Sequence, residues 1–255
     1  MSKIADAFSN KKAFIGFITA GDPDLETTKA VIKKMEDAGC SLVEIGIPFS
    51  DPIAEGPVIQ NANIRALKNH VTTDDVFAML EELKNEVSMP MVFMTYLNVL
   101  FKYGYDRFLK KASDTGICGV IIPDMPYEEK DELQCVAKKY GIEVVSLISP
   151  TSEDRIKTIA KDAEGFIYAV SSLGLTGMRN EIKTDLASIT AAIREVTDIP
   201  VAIGFGINTP EQASKYCEIA DGVIVGSAIV KIIEQYGTDA PDKVYEYVKS
   251  MTEAI

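Results

Sequence analysis

Histidine is nearly missing from this chain: His70 is the only one in 255 residues. That removes His-rich zinc sites and leaves no sensible His-based triad, because His70 follows Lys68 and Asn69 at a helix end and reads as a solvated surface residue. The four cysteines, Cys40, Cys118, Cys135 and Cys217, are widely scattered with no C-x-x-C pair, which excludes a disulfide framework and a thiolate metal cluster. Positive charge is also short. Lys and Arg number 26 against 38 Asp and Glu, a formal charge of −12, and neither nucleic acid nor an anionic membrane binds without basic patches. No apolar run reaches the roughly 18 residues of a membrane span. The opening MSKIADAFSN lacks the basic-then-apolar pattern of a secretory signal, so the expectation is a cytosolic chain. No G-x-G-x-x-G opens a dinucleotide-binding unit. With 47% hydrophobic and 25% charged residues, disorder is excluded as well.

What is present is alternation. Eight apolar runs of strand length fall at residues 13–19, 41–47, 91–96, 119–123, 143–148, 165–170, 201–205 and 222–225, bounded by Gly, Pro, Asp or Ser. Between them lie patterns with apolar residues at i, i+3 and i+4, predicting helices such as 25–38, 76–87, 106–115, 127–140, 154–161 and 210–218. Apolar strands alternating with helices predict a parallel sheet covered on both faces. Eight units with no polar edge strand fit a closed (β/α)8 barrel, an α/β TIM barrel, better than an open sheet. Residues 2–8 suit an extra N-terminal helix plugging the barrel bottom, and no linker or charge block divides residues 1–255, which predicts a single domain.

Barrel chemistry sits at the C-terminal ends of the strands. Alternation in the second run puts Leu42, Glu44 and Gly46 on one face, with Val43, Ile45 and Ile47 on the other. The apolar face packs on helices, so Glu44 points into the barrel, where burial raises its pKa. Spacing alone leaves two readings open, an acid–base group and a structural carboxyl bonded to nearby backbone. The following loop adds Asp51 and Glu55, and loop acids are ordinarily just solvated. Glycine-rich turns follow three late strands: residues 171–177, Gly204-Phe205-Gly206-Ile207-Asn208, and Gly226-Ser227-Ala228. Glycine there lets backbone N–H groups and a helix N-terminus approach a phosphate. No lysine stands at any of these strand ends, which argues against a Schiff-base aldolase. The aromatics Phe17, Tyr96, Tyr168 and Phe205 fall near the same rim, as core packing or as pocket walls. What remains is a lyase or isomerase acting on a phosphorylated substrate.

These residues resemble one family, the alpha subunit of tryptophan synthase. The resemblance rests on Glu44-Ile45-Gly46-Ile47-Pro48-Phe49-Ser50-Asp51-Pro52 followed by Gly56-Pro57-Val58-Ile59-Gln60. It continues through Phe17-Ile18-Thr19-Ala20-Gly21-Asp22-Pro23, Tyr96, Asn98, Ile122-Pro123-Asp124, Gly174-Leu175-Thr176-Gly177 and Gly226-Ser227-Ala228-Ile229-Val230. It implies cofactor-free retro-aldol cleavage of indole-3-glycerol phosphate to indole and glyceraldehyde-3-phosphate. On that resemblance Glu44 is the acid–base glutamate and Glu55 the second carboxylate, which polarises the indole N–H. The family more often has Asp there, and the extra methylene adds about 1.5 Å of reach. Gly177, Gly206, Gly226 and Ser227 would offer N–H groups to the phosphate, and Phe17, Tyr96, Tyr168, Thr176 and Phe205 would line or close the indole pocket. The loop around residues 173–182 would close over substrate. The resemblance further implies a beta subunit that carries pyridoxal phosphate (PLP) and receives the indole in an αββα assembly, with Pro48, Asp51, Asn98, Asp124 and Pro126 facing it. It implies no metal.

Overall fold

In the computed structural model eight parallel strands close into a ring in chain order, β1 to β8, with β1 hydrogen-bonded to β8. The structure describes residues 3–9, 11–170, 186–204 and 206–255. The strands are β1 Ala13–Thr19, β2 Leu42–Gly46, β3 Met91–Met94, β4 Ile117–Ile121, β5 Glu143–Ile148, β6 Glu164–Val170, β7 Val201–Gly204 and β8 Gly222–Val225. The helices are α1 Lys3–Asp6, α2 Leu25–Asp37, α3 Pro57–Lys68, α4 Thr73–Leu83, α5 Leu97–Tyr103, α6 Tyr105–Asp114, α7 Lys130–Lys139, α8 Glu153–Lys161, α9 Leu186–Arg194, α10 Pro210–Cys217, α11 Ser227–Tyr236 and α12 Ala240–Thr252.

Local sequence sets several helix starts. Asp24 accepts from Thr27 N at 2.7 Å to cap α2. Thr72 with Asp75, and Thr209 with Gln212, form reciprocal capping boxes at α4 and α10. Along each strand, alternate side chains divide between two cores. Phe14, Ile18, Val43, Ile45 and Phe93 pack outward against helices. Ala13, Ile15, Phe17, Leu42, Val92 and Phe166 fill the barrel interior. Both faces of β1, β2 and β3 are buried along their whole length, which is why these strands read as nearly unbroken apolar runs.

The bottom of the barrel is stoppered by α1, a helix shorter than the pattern in residues 2–8 predicts: it spans Lys3–Asp6, residues 7–9 follow as a turn, and residue 2 lies outside the described residues. Ile4 is wholly buried in the interior core, and the Phe8 ring lies 5.7 Å from that of Phe166. Room for the stopper comes from Gly119, where a Cβ would stand 2.7 Å from Ile4 Cδ1. This corrects one boundary. The fourth strand runs Ile117–Ile121 rather than 119–123, because Gly119 lies inside the strand as clearance for Ile4 and does not mark its start. The fourth helical pattern likewise opens with a 3-10 turn, Tyr127–Glu129, before α7 begins. His70 is exposed just past α3, with φ of 58°.

The ring's closure allows no extra atom at Gly222. A Cβ there would lie 2.6 Å from the Ala13 carbonyl oxygen and 2.9 Å from Ala13 Cβ, in the ladder that joins β8 to β1. Backbone would have to move, and overpacking of this kind costs about 1–3 kcal/mol. Gly222→Ala is therefore expected to lower the urea midpoint by that much stability at an unchanged m-value.

Candidate functional site

Glu44 is in the middle of β2, paired with Phe17 of β1 and Val92 of β3. Its neighbours Leu42 and Val43 lie in the interior and outer cores respectively, so alternation turns Glu44 inward. It has no exposed surface, and neither carboxyl oxygen has a hydrogen-bond partner among the described residues. Desolvation of the charged form is the cause of a pKa pushed up to about 8. The surroundings are aromatic. A Cβ on Gly46 would lie 2.8 Å from Phe17 Cζ and one on Gly226 3.3 Å from the same side chain, so the ring of Phe17 is wedged between the ends of β2 and β8. Tyr168 rests over β7, where a Cβ on Gly204 would come within 2.5 Å of its hydroxyl. The Glu44 charge acts on Tyr168, whose own burial drives its pKa well above 10.0. Thr19, on the same face of β1 as Phe17, buries a hydroxyl with no partner among the described residues. Thr19 belongs to the run Phe17-Ile18-Thr19-Ala20-Gly21-Asp22-Pro23 that carries the family resemblance, but its position there gives no sign of a buried hydroxyl.

Glu55 is also buried, 6% exposed, in the loop between β2 and α3. Its carboxylate accepts from Asn63 Nδ2 at 2.6 Å and bonds with the Tyr96 hydroxyl. Gln60 Nε2 donates to its backbone carbonyl at 2.8 Å. Burial raises its pKa to about 7, with the bonds from Asn63 and Tyr96 opposing the rise. Tyr96 accepts from Ala54 N at 3.2 Å and stacks on Phe49, ring centroids 5.0 Å apart. Thus Tyr96 is tied to the second carboxylate as well as being a wall aromatic. Asn63 has no place in any motif; its position on α3 gives no sign of the contact.

A cavity of about 460 Å3 opens above the strand ends, lined by Ala54, Met94, Ile122, Val145, Leu147 and Val170 among others. Glu44, Glu55, Phe17, Tyr96, Tyr168, Gly206, Gly226 and Ser227 are not among its lining residues, so it lies beside the two carboxyl groups, toward β4 and β5, rather than around them. Lys130 reaches its wall from α7, buried, with Nζ donating to Ser146 Oγ at 3.2 Å and the Asp162 carbonyl at 2.9 Å. It is a buried lysine beside the cavity that strand-end spacing does not reveal, and its bonds fasten it to the middle of β5 and to the turn before β6.

At the other side of the rim Gly206 has φ of 89°, a conformation that requires glycine. Gly226 caps α11 and Ser227 is its first residue, both half-buried, which sets the first N–H groups of that helix, those with no intrahelical acceptor, at the C-terminal end of β8. Helix N-termini in general favour anions, through N–H groups and dipole, and the effect is local enough to act against a net charge of −12. Thr176, Gly177 and Phe205, together with the loop 173–182, lie outside the described residues. Of the residues expected to face a partner, Asp51, Asn98 and Pro126 are exposed, Asp124 is half-buried and Pro48 is buried. Asp124 accepts from Leu97 N at 2.9 Å, which caps the helix that carries Asn98. No cluster of three or more His, Cys, Asp or Glu side chains able to hold a metal occurs among the described residues. No helix among them is long and apolar enough to cross a membrane.

Comparison with known proteins places this geometry. The sequence model of the family described as "Tryptophan synthase alpha chain" matches residues 4–255. The chain belongs to the tryptophan synthase alpha chain family. A tryptophan synthase alpha chain of Lacticaseibacillus casei is 51% identical over 255 residues, covering 100% of this chain and 96% of that one. One of Petrotoga mobilis is 45% identical over 256 residues, covering 100% and 99%. Among solved structures, a tryptophan synthase subunit alpha of Legionella pneumophila matches with a TM-score of 0.90 at 38% identity, covering 100% of this chain and 98% of that one. A Mycobacterium tuberculosis tryptophan synthase matches equally well, TM-score 0.90, at 28% identity and with the same coverage.

In this tryptophan synthase alpha chain, burial holds the Glu44 carboxyl neutral at pH 7, and that has a thermodynamic signature. The folded value is about 8 against an ordinary 4.5, so between these pH values the folded chain binds the extra proton. Stability therefore falls as pH rises through that window, each pKa unit being worth about 1.4 kcal/mol. Glu44→Gln, which cannot ionise, is expected to match the parent chain near pH 5 and exceed it by several kcal/mol near pH 8. Urea titrations at the two pH values decide it; a gap that does not change with pH would mean an ordinary carboxylate.

Proposed function

We propose that residues 1–255 act as one cytoplasmic domain that cleaves indole-3-glycerol phosphate to indole and glyceraldehyde-3-phosphate and passes the indole to a beta subunit. The observation that carries this reading is Glu44, a fully buried carboxyl with no hydrogen-bond partner among the described residues and a pKa of about 8. Protonated, it delivers its proton to indole C3; the resulting carboxylate then takes the proton of the adjacent glycerol hydroxyl. The C3–carbon bond breaks as the aldehyde forms, and its electrons return to the indole ring. One proton goes in and one comes back, with no oxidation or reduction, so the step asks for no cofactor in this chain. PLP belongs to the beta partner. Glu55 accepts the indole N–H and offsets the positive charge that C3 protonation puts on the ring. Phe17, Tyr96, Tyr168, Thr176 and Phe205 enclose the indole, while Gly177, Gly206, Gly226 and Ser227 hold the phosphate.

The partner reading draws support from exposed apolar residues beside the relevant loops: Ile53 is 69% exposed and Phe101 72%. Large apolar side chains left in water next to Asp51 and Asn98 are what a subunit interface covers. In this reading Pro48, Asp51, Asn98, Asp124 and Pro126 meet the beta subunit in an αββα assembly.

Indole release from indole-3-glycerol phosphate, by the purified chain alone and with a beta subunit, is the first test. Slow release that rises strongly with the partner is expected; no release in either case would overturn the reading. Glu44→Gln is expected to lose at least about 100-fold in kcat. The pH dependence has a definite sign. Glu55 works ionised, so kcat/KM rises with pH through about 7, and Glu44 works protonated, so it falls above about 8. A profile without the alkaline fall would remove Glu44 as the acid.

A further inference from the structure

We infer that Asn63 is a positioning residue for the reaction, the group that aims the unusually long second carboxylate. This rests on the reading of Glu55 given above and deepens it. The glutamate at this position reaches about 1.5 Å further than the aspartate more usual in the family and has one more rotatable bond, so its oxygens need an external fix. Asn63 supplies that fix from a helix. It is 3% exposed, and Nδ2 donates to Glu55 Oε2 at 2.6 Å and to the Ile59 carbonyl at 3.2 Å. Its Oδ1 accepts from Phe49 N at 3.2 Å. The amide can sit only one way round. Turned over, its oxygen would face the carboxylate and its NH2 group would face the Phe49 N–H. One side chain thereby joins the end of the β2 strand loop, through Phe49, to the far end of the same loop, through Glu55.

The support behind it is stiff. Two residues along α3, Arg65 forks onto Asp22 with Nε–Oδ1 of 2.7 Å and Nη2–Oδ2 of 2.9 Å, and reaches Glu234 at 2.8 Å. The helix that holds Asn63 is thus pinned to the loop after β1 and to α11, whose N-terminus lies at the phosphate end of the mouth. Misplacement of a reacting group by about 1 Å costs up to about 100-fold. Among titratable groups, Tyr96 from the end of β3 faces Glu55, and Asp124 from the loop after β4 faces Tyr96. No lysine or arginine of the described residues pairs with Glu55. Hydrogen bonds from Asn63 and Tyr96 are therefore what favour its ionised form.

The experiment is a double-mutant cycle on indole release, with full pH profiles, on the whole chain in the presence of its beta subunit. Asn63→Leu is expected to lower kcat about tenfold with KM nearly unchanged, and to move the acid limb of the profile up by about one pH unit. In the Glu55→Gln background the same change should cost nothing further, since it acts through Glu55. Asn63→Asp, nearly the same shape and so less exposed to misfolding, should move the limb further upward, because two adjacent carboxylates share one proton. An unmoved limb in Asn63→Asp, or costs that simply add in the cycle, would overturn the inference. Glu55→Gln with full activity would instead overturn the role of Glu55 itself, so the two failures are distinguishable.

Discussion

Hydrogen bonding between β1 and β8, from Ala13 opposite Gly222 to Gly16 opposite Val225, turns a row of strands into a ring. Once the ring is closed there is no edge, and one of the two side-chain sets of every strand is committed to the interior. Phe17 is brought beside Gly226 by that closing pair, and beside Glu44 by the pairing of β1 with β2. Residues more than two hundred positions apart in the chain therefore share one wall of the site. Were the register of β2 to slip by a single residue, Glu44 would point into the helix layer and Ile45 into the barrel mouth.

Much of this is legible in the sequence because strand periodicity is a local property. The alternation around Glu44 identifies its inward face without any knowledge of what lies opposite, and β1, β5 and β8 have the bounds that their apolar runs indicate. Gly119 misleads, because the same residue type that ends strands also clears space for a side chain arriving from the N-terminus. Less legible still are contacts between a loop and a helix. Glu55 looks like an ordinary loop acid, and its burial depends on Tyr96 and Asn63, reached from two different elements. Nothing in the seven residues between Glu55 and Asn63 encodes a bond of 2.6 Å; it follows from how α3 docks. Lys130 is hidden for a related reason, since it belongs to a helix and reaches Ser146 inside β5 only through the length of its side chain.

The two carboxyl groups show how one fold sets two glutamates apart. Both are raised by burial, but Glu44 has no donor near it among the described residues and Glu55 has two. Burial without compensation keeps the first neutral; burial with Asn63 and Tyr96 beside it draws the second back toward ionisation. The difference comes from neighbours rather than from residue type, as both are glutamates. Keeping a buried carboxyl neutral lowers stability at alkaline pH, against the burial of two large apolar cores.

The stopper formed by Ile4 and Phe8 has a consequence for traffic. With the barrel floor filled by α1, nothing the size of an indole passes through the axis from one end to the other. Entry and exit share the upper opening, and on that rim stand the exposed Ile53 and Phe101. An apolar product leaving the pocket meets whatever surface covers those two side chains before it meets bulk water. In the reading proposed above, a protein docked over those two side chains stands where such a product leaves the pocket.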